Sequence, residues 1–165
     1  MSNKEKNREH VSGIAYGTEH EFVTVRLADQ LIGIPVLVVH DVLKPQKITK
    51  VPLSPDWVAG VLNLRGRIVT AIDLRTRLGL PPKDEVKGMS VVVEHDGEPY
   101  SLQVDSIGDV IRANPEDYEK NPVTLNAIWR DVAAGVYRLD GELMVVIDTG
   151  RLLTNGQSAT TASAA

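Results

Sequence analysis

The chain has 165 residues, 42% hydrophobic and 24% charged, with a formal net charge of −4, enough for one domain or for two small lobes on a common core. It contains no cysteine, which excludes disulfides, thiol catalysis and thiolate metal sites. The acidic balance argues against a bulk binder of nucleic acid or anionic membrane, since both favour basic surfaces.

Residues 1–20 are polar and charged without periodicity and are expected to form a mobile N-terminal arm. No stretch approaches the ~18 consecutive apolar residues of a membrane helix, so a cytoplasmic location is expected. From Glu21 the signals are almost all strand. Val23, Val25 and Leu27 alternate with Thr24 and Arg26, the period of two that marks a half-buried strand. Ala28-Asp29-Gln30 makes a turn, and Leu31 to Val39 forms a second apolar run in which Pro35 predicts an edge or a bend. Further strands are expected at Val58–Leu62, Arg67–Ile72, Met89–Glu94, Tyr100–Val104, Ile107–Arg112, Ala134–Leu139 and Leu143–Ile147. Asp96-Gly97 and Asp140-Gly141 suit two-residue hairpins, whose central positions require positive φ. With seven aromatic residues in the chain, the core must be mostly Val, Ile and Leu.

Helical signals are short and sit at junctions. Ser54-Pro55 and Asn114-Pro115 each put a capping residue before a proline suited to the first helical position. Asp73 to Gly79 reads as a cap, a turn or two of helix and a glycine stop, ahead of Pro81-Pro82. The structured domain is expected over 21–153, and the low-complexity ending over 154–165 is expected to be a disordered tail.

The chain repeats itself. Setting residues 59–78 over 134–153, a shift of 75, pairs Ala59 with Ala134, Gly60 with Gly135, Val61 with Val136, Leu64 with Leu139, Gly66 with Gly141, Ile72 with Ile147 and Asp73 with Asp148. A weaker echo at a shift of 68 pairs Val23 with Val91, Val25 with Val93, Val36 with Val104, Asp41 with Asp109 and Val42 with Val110. Two similar sets of short strands predict an all-β protein of two small barrels packed together, because closure removes exposed edges.

Reactive chemistry is scarce. His10 and His20 belong to the arm, while His40 and His95 stand alone on strands, and none has a second ligand at metal-binding spacing. Asp73 and Asp148 hold the same place in their repeats, where helix capping explains both. Glycine-rich phosphate loops are absent. No catalytic residues, metal site or cofactor are expected, and no enzyme. Arg65, Arg67, Arg75 and Arg77 could form a basic patch, as on a small nucleic-acid-binding barrel, but no stacking aromatic lies between Trp57 and Tyr100. Arg65 is the residue folding does not explain, since its counterpart Asp140 is an ordinary hairpin residue. A planar, bidentate partner would suit it: Asp41 is the nearest strand carboxylate, and direct contact with a partner protein is the alternative.

The run Gly60-Val61-Leu62-Asn63-Leu64-Arg65-Gly66-Arg67-Ile68-Val69 with Ile72-Asp73-Leu74, the earlier Gly33-Ile34 and Val36 with Val39, Asp41 and Val42, and Ile48-Thr49 with Val51-Pro52 together resemble the CheW-type chemotaxis coupling proteins. The resemblance runs from about Glu21 to Leu153. It implies two intertwined five-stranded SH3-like barrels with short junction helices. It also implies a non-enzymatic scaffold joining chemoreceptor cytoplasmic tips to the regulatory domain of the histidine kinase CheA, without nucleic acid or membrane insertion. Val39, Gly60, Asn63, Leu64, Arg65 and Gly66 match the family's receptor-contact region, and Asp41, Val42, Leu43 and Ile48 its kinase contact. Asp41 stands where Glu is common in the family, and Thr70 where Pro is common.

Overall fold

A computed structural model describes residues 20–82, 88–120 and 125–154. Eleven strands form among them: β1 (Glu21–Leu27), β2 (Gln30–Pro35), β3 (Val39–Leu43), β4 (Val58–Leu64), β5 (Arg67–Asp73), β6 (Met89–His95), β7 (Glu98–Val104), β8 (Ser106–Arg112), β9 (Tyr118–Glu119), β10 (Ala133–Leu139) and β11 (Glu142–Ile147). Helices are short: α1 (Leu74–Arg77), α2 (Ala127–Val132) and α3 over 149–154. The all-β expectation with junction helices holds. His10 and the tail beyond Thr154 lie outside the described residues. Thr154 itself closes α3, and His20 belongs to the folded part, where its carbonyl accepts from Ala113 N–H at 2.8 Å.

The strands form a six-stranded sheet, β8-β1-β2-β11-β10-β9, and a five-stranded sheet, β3-β6-β7-β5-β4. Under the two sequence shifts, β1, β2 and β3 correspond to β6, β7 and β8, while β4 and β5 correspond to β10 and β11. Both sheets then have the same strand order, with one hairpin exchanged. The β1–β2 hairpin of the first repeat completes the sheet of the second, and β6–β7 completes the sheet of the first. Irregularities match as well: the register of β4 on β5 shifts between Val58 and Gly60, and that of β10 on β11 between Ala133 and Gly135.

Alternation along the strands makes three apolar clusters. Val23, Val25 and Leu27 of β1 join Val91 and Val93 of β6, Val145 and Ile147 of β11, and Leu152 of α3 in a core shared by both lobes. The opposite faces fill separate interiors, with Phe22, Tyr137, Met144 and Val146 in one lobe and Leu43, Leu62, Val69, Ala71 and Val92 in the other. Each such side chain contributes about 1.5–3 kcal/mol on burial. Parting the lobes would therefore cost as much as a whole domain's usual stability, and they form one unit.

A short crossing segment pairs with the edge of each lobe. The chain leaving β3 crosses to β4, where Thr49 and Val61 exchange N–H···O bonds, both 2.8 Å. Gly60 makes that crossing possible. Its φ is 147, and a β-carbon there would fall on the Thr49 carbonyl oxygen and 2.8 Å from Ile48 Cγ2. In the other lobe β9 crosses β10, and the Tyr118 ring lies against Gly135.

Two local expectations change and a third holds. The run Leu31–Val39 divides: Pro35 ends β2, a 3-10 turn spans Val36–Val38, and Val39 starts β3. Ser54-Pro55 starts no helix, because Ser54 N–H and Oγ donate backward to the Val51 carbonyl and the following residues alternate into β4. Asn114-Pro115 does start a turn, of 3-10 type, with Asn114 accepting from Glu116 N–H at 3.1 Å. By contrast α2, capped by Asn126 on Trp129 N–H, went unforeseen, as did α3.

Gly60→Ala is expected to lower stability by about 2–4 kcal/mol, because the clash is with backbone and the φ is wrong for a side chain. Gly66→Ala, with open space around it, is expected to cost only about 1–2 kcal/mol from its positive φ. Urea denaturation of the two variants measures the difference.

Candidate docking site

β4 and β5 are joined by the two-residue turn Arg65-Gly66, with φ of 51 and 86. The same geometry recurs at Asp96-Gly97 and Asp140-Gly141, as the sequence predicts for both Asp-Gly pairs. Arginine is a poor choice for the first position. Asp, Asn and Gly accept a left-handed φ there, whereas a longer side chain costs roughly 1–2 kcal/mol. Two contacts offset the cost: Gly66 N–H donates to Asn63 Oδ1 at 3.0 Å, and the Arg65 guanidinium lies 2.9 Å from Asp41 Oδ2.

That ion pair joins the two edges of the five-stranded sheet. In sheet order β3 and β4 are separated by three strands, which in a flat sheet would hold them about 19 Å apart, beyond an arginine's reach. The sheet curls until they meet. Arg65 keeps 76% of its side-chain surface exposed, so the pair is a surface bridge of modest energy. Asp41 is held more firmly: its Oδ1 accepts from Val42 N–H at 2.8 Å, and its buried Oδ2 faces Arg65 at ion-pair distance but off the hydrogen-bond direction. In the other lobe the equivalent positions are Asp109 and Asp140, two acids that cannot pair.

The ten residues singled out in the sequence all fall on β3, β4, the turn between β4 and β5, or the crossing segment between β3 and β4, but they do different work. Asn63, Arg65 and Gly66 are exposed, while Leu64 leans onto the barrel interior and Val39 onto the shared core. Gly60 is buried, and what approaches it is the chain's own Thr49. Among the four residues that match the family's kinase contact in sequence, Leu43 is only 8% exposed, inside the lobe, whereas Val42 beside it is 40% exposed. Ile48 packs partly on the same interior. The sequence missed Ile68, which pairs across from Asn63 with 65% of its surface in solvent. Alternation was the available signal, since Val69 and Ala71 point inward.

The arginine quartet does not form a patch. Arg75 grips Asp105 through Nε at 2.9 Å and a terminal nitrogen at 2.5 Å, and this bonding raises its pKa against the opposing effect of burial. Asp105 also accepts from Ala28 N–H at 2.7 Å, so it ties α1 to the β1–β2 turn of the other lobe. Arg77 donates to the Leu152 carbonyl at 3.0 Å and lies 6.0 Å from the Trp57 ring centroid; burial lowers its pKa, opposed by Asp131. Of the four, only Arg67 has no such partner among the described residues. The histidines are engaged with ordinary polar neighbours: His40 with Glu94 at 3.0 Å, His95 with Asp96 at 3.3 Å, and His20 with the Tyr137 hydroxyl at 3.3 Å. Asp73 and Asp148 each cap a helix, accepting from Thr76 and Arg151 N–H. Among the described residues no cluster of His, Asp or Glu could hold a metal ion, and no helix is long and apolar enough to cross a membrane.

Two interlocked small β-barrels, with an arginine turn held over the rim of one of them, define a docking module. The chain belongs to the CheW-like domain family, whose model matches residues 21–157. It is 28% identical over 142 residues to the chemotaxis protein CheW of Treponema pallidum, covering 83% of this chain and 84% of that one. To the chemotaxis protein CheW of Klebsiella aerogenes it is 26% identical, covering 84% of each. The solved scaffolding protein TtCheW of Thermoanaerobacter tengcongensis superposes with a TM-score of 0.72 at 30% identity, over 79% of this chain and 89% of that one.

Arg65→Ala is expected to change stability by less than ~1 kcal/mol, as for other exposed ion pairs. Asp105→Ala strands a largely covered Arg75 and the Ala28 N–H, and is expected to cost about 2–4 kcal/mol. Chemical denaturation of both separates the surface bridge from the one that fastens the lobes.

Proposed function

We propose that the chain is a non-enzymatic chemotaxis scaffold of the cytoplasm that couples chemoreceptor tips to the regulatory domain of the kinase CheA. The observation that carries this reading is the exposed Asn63-Leu64-Arg65-Gly66 turn, strained at Arg65 and tied to Asp41, within a domain of the CheW-like family. The pair with Asp41 is a surface bridge of modest energy, and it leaves 76% of the Arg65 side-chain surface in solvent. Arg65 presents a rigid cationic fork to a partner.

The receptor's helical hairpin meets the side formed by Val39, Asn63, Arg65 and Gly66, with Leu64 and Gly60 supporting the turn from beneath. The kinase's barrel meets the β3 rim at Val42 and Ile48, with Asp41 setting the rim and Leu43 anchoring it from within. An apolar helix face laid against a shallow groove draws most of its affinity from a few anchors. Arg65 on the receptor side and Asp41 on the kinase side are the two halves of one ion pair, so the two surfaces share a boundary. The dispersal of the arginine quartet supplies no continuous phosphate track for a nucleic-acid reading.

The test mixes the full chain with a receptor cytoplasmic fragment and the CheA regulatory domain, and reads each affinity by calorimetry. Arg65→Ala is expected to weaken receptor binding about tenfold, or about 1.4 kcal/mol, with kinase binding changed little. Val42→Asp is expected to do the reverse. Wild-type chain that binds neither component would overturn the reading.

A further inference from the structure

Residues paired directly across neighbouring strands turn to the same side of a sheet, so the register says which side chains share a face. Val39 pairs with Val93, Val93 with Tyr100, Tyr100 with Thr70 and Thr70 with Val61, one row across all five strands of the smaller sheet. Val93 and Tyr100 of this row lie in the core shared with the other lobe, and Val39 packs against it. Two residues further along β4 and β5, the next pair on that face is Asn63 with Ile68. Here the cover stops, and Ile68 is left mostly in solvent. The twin position is not bare. Under the shift of 75 residues Ile68 corresponds to Leu143, which pairs with Arg138 as Ile68 does with Asn63, and Leu143 packs against the shared core.

We propose that Ile68 is the apolar anchor for the receptor's helical hairpin. This rests on the receptor reading given above and adds to it a contact that no motif match assigned. Val39 and Asn63 are far apart in sequence, yet they belong to one face of one sheet, and Ile68 stands on that face directly beside Asn63. A helix laid on such a surface draws its affinity from a few apolar anchors. The six residues matched in sequence supply almost none: Gly60 is buried, Leu64 leans into the barrel, Val39 is partly covered by the core, and Asn63, Arg65 and Gly66 offer polar groups or backbone. Ile68 supplies the missing element. A lone exposed isoleucine is ordinary on a protein surface. This one is set apart by its place at the open margin of the shared core, next to the Asn63–Gly66 turn, in the lobe whose hairpin also departs from its twin at Arg65.

The test compares Ile68→Val with Ile68→Thr, two β-branched residues of nearly the same shape that differ in apolar surface and suit an exposed strand. Calorimetry of the full chain with a receptor cytoplasmic fragment is expected to give Ile68→Val an affinity within about twofold of wild type, and Ile68→Thr one about fivefold weaker. Affinity for the CheA regulatory domain and the melting temperature are expected to stay at wild-type values in both. Where wild type binds the receptor fragment, an Ile68→Thr chain that binds it equally well, or one that loses receptor and kinase affinity alike, overturns the proposal and leaves the receptor reading standing. Equal losses by Ile68→Val and Ile68→Thr overturn it too, since apolar surface would then not be what the receptor reads. Wild-type chain that does not bind the fragment removes the reading and the proposal together.

Discussion

Alternate residues of β1, β6 and β11 turn to opposite faces, and this pleat lets one set of strands serve two barrels. Val23, Val25, Val91, Val93, Val145 and Ile147 feed a core common to both lobes, while Phe22, Val92, Met144 and Val146 feed the separate interiors. The exchange of the β1–β2 and β6–β7 hairpins makes the two lobes interdependent, because neither repeat holds a complete sheet by itself. A scaffold built this way transmits position faithfully. Its rims cannot shift without disturbing a core worth tens of kilocalories per mole.

How much of this was legible depended on whether a signal was local. Hairpins declared themselves through Asp96-Gly97 and Asp140-Gly141, and helix caps through Asp73 and Asn114, since those side chains act within three residues of their own position. Period-two alternation located β1, and apolar runs located β4 to β8, β10 and β11. What failed was whatever depends on neighbours distant in sequence. Ser54 reads as a cap until its hydroxyl is found bonded backward to Val51. The break at Pro35 could mean an edge or a bend, and only the pairing of β2 with β1 and β11 decides for a strand end followed by a turn. The repeat predicted two similar units, but not that each unit lends a hairpin to the other.

The candidate site shows the same division. Chemistry singled out Asp41 as the nearest strand carboxylate for Arg65 but left a partner protein as the alternative; the structure brings Arg65 to 2.9 Å from Asp41. Burial was not readable in the same way. Val42 and Leu43 are adjacent and both apolar, yet the pleat sends one to solvent and the other into the lobe, and no motif states which. Gly60 matches the family's receptor-contact region in sequence, yet the space a side chain would take there is already filled by the chain's own Thr49. Four arginines within thirteen residues looked like a patch until Asp105, Leu152 and Asp41 claimed three of them.

Positive φ values separate the architecture from its working surfaces. Asp96 and Asp140 tolerate the left-handed region because a short carboxylate bonds locally, and Ala28 has little side chain to strain. Arg65 and Leu53 have no such excuse. Both are long, both are exposed, and each sits in a turn whose other hydrogen bonds are satisfied: Asn63 with Gly66 for the one, Ser54 with Val51 for the other. Backbone preference alone would favour Gly at either place. The ion pair with Asp41 recovers only a surface bridge's worth for Arg65, and among the described residues nothing covers Leu53. Leu53 lies in the segment joining β3 to β4, and Arg65 in the turn joining β4 to β5, so the strained positions fall in two successive connections of one lobe.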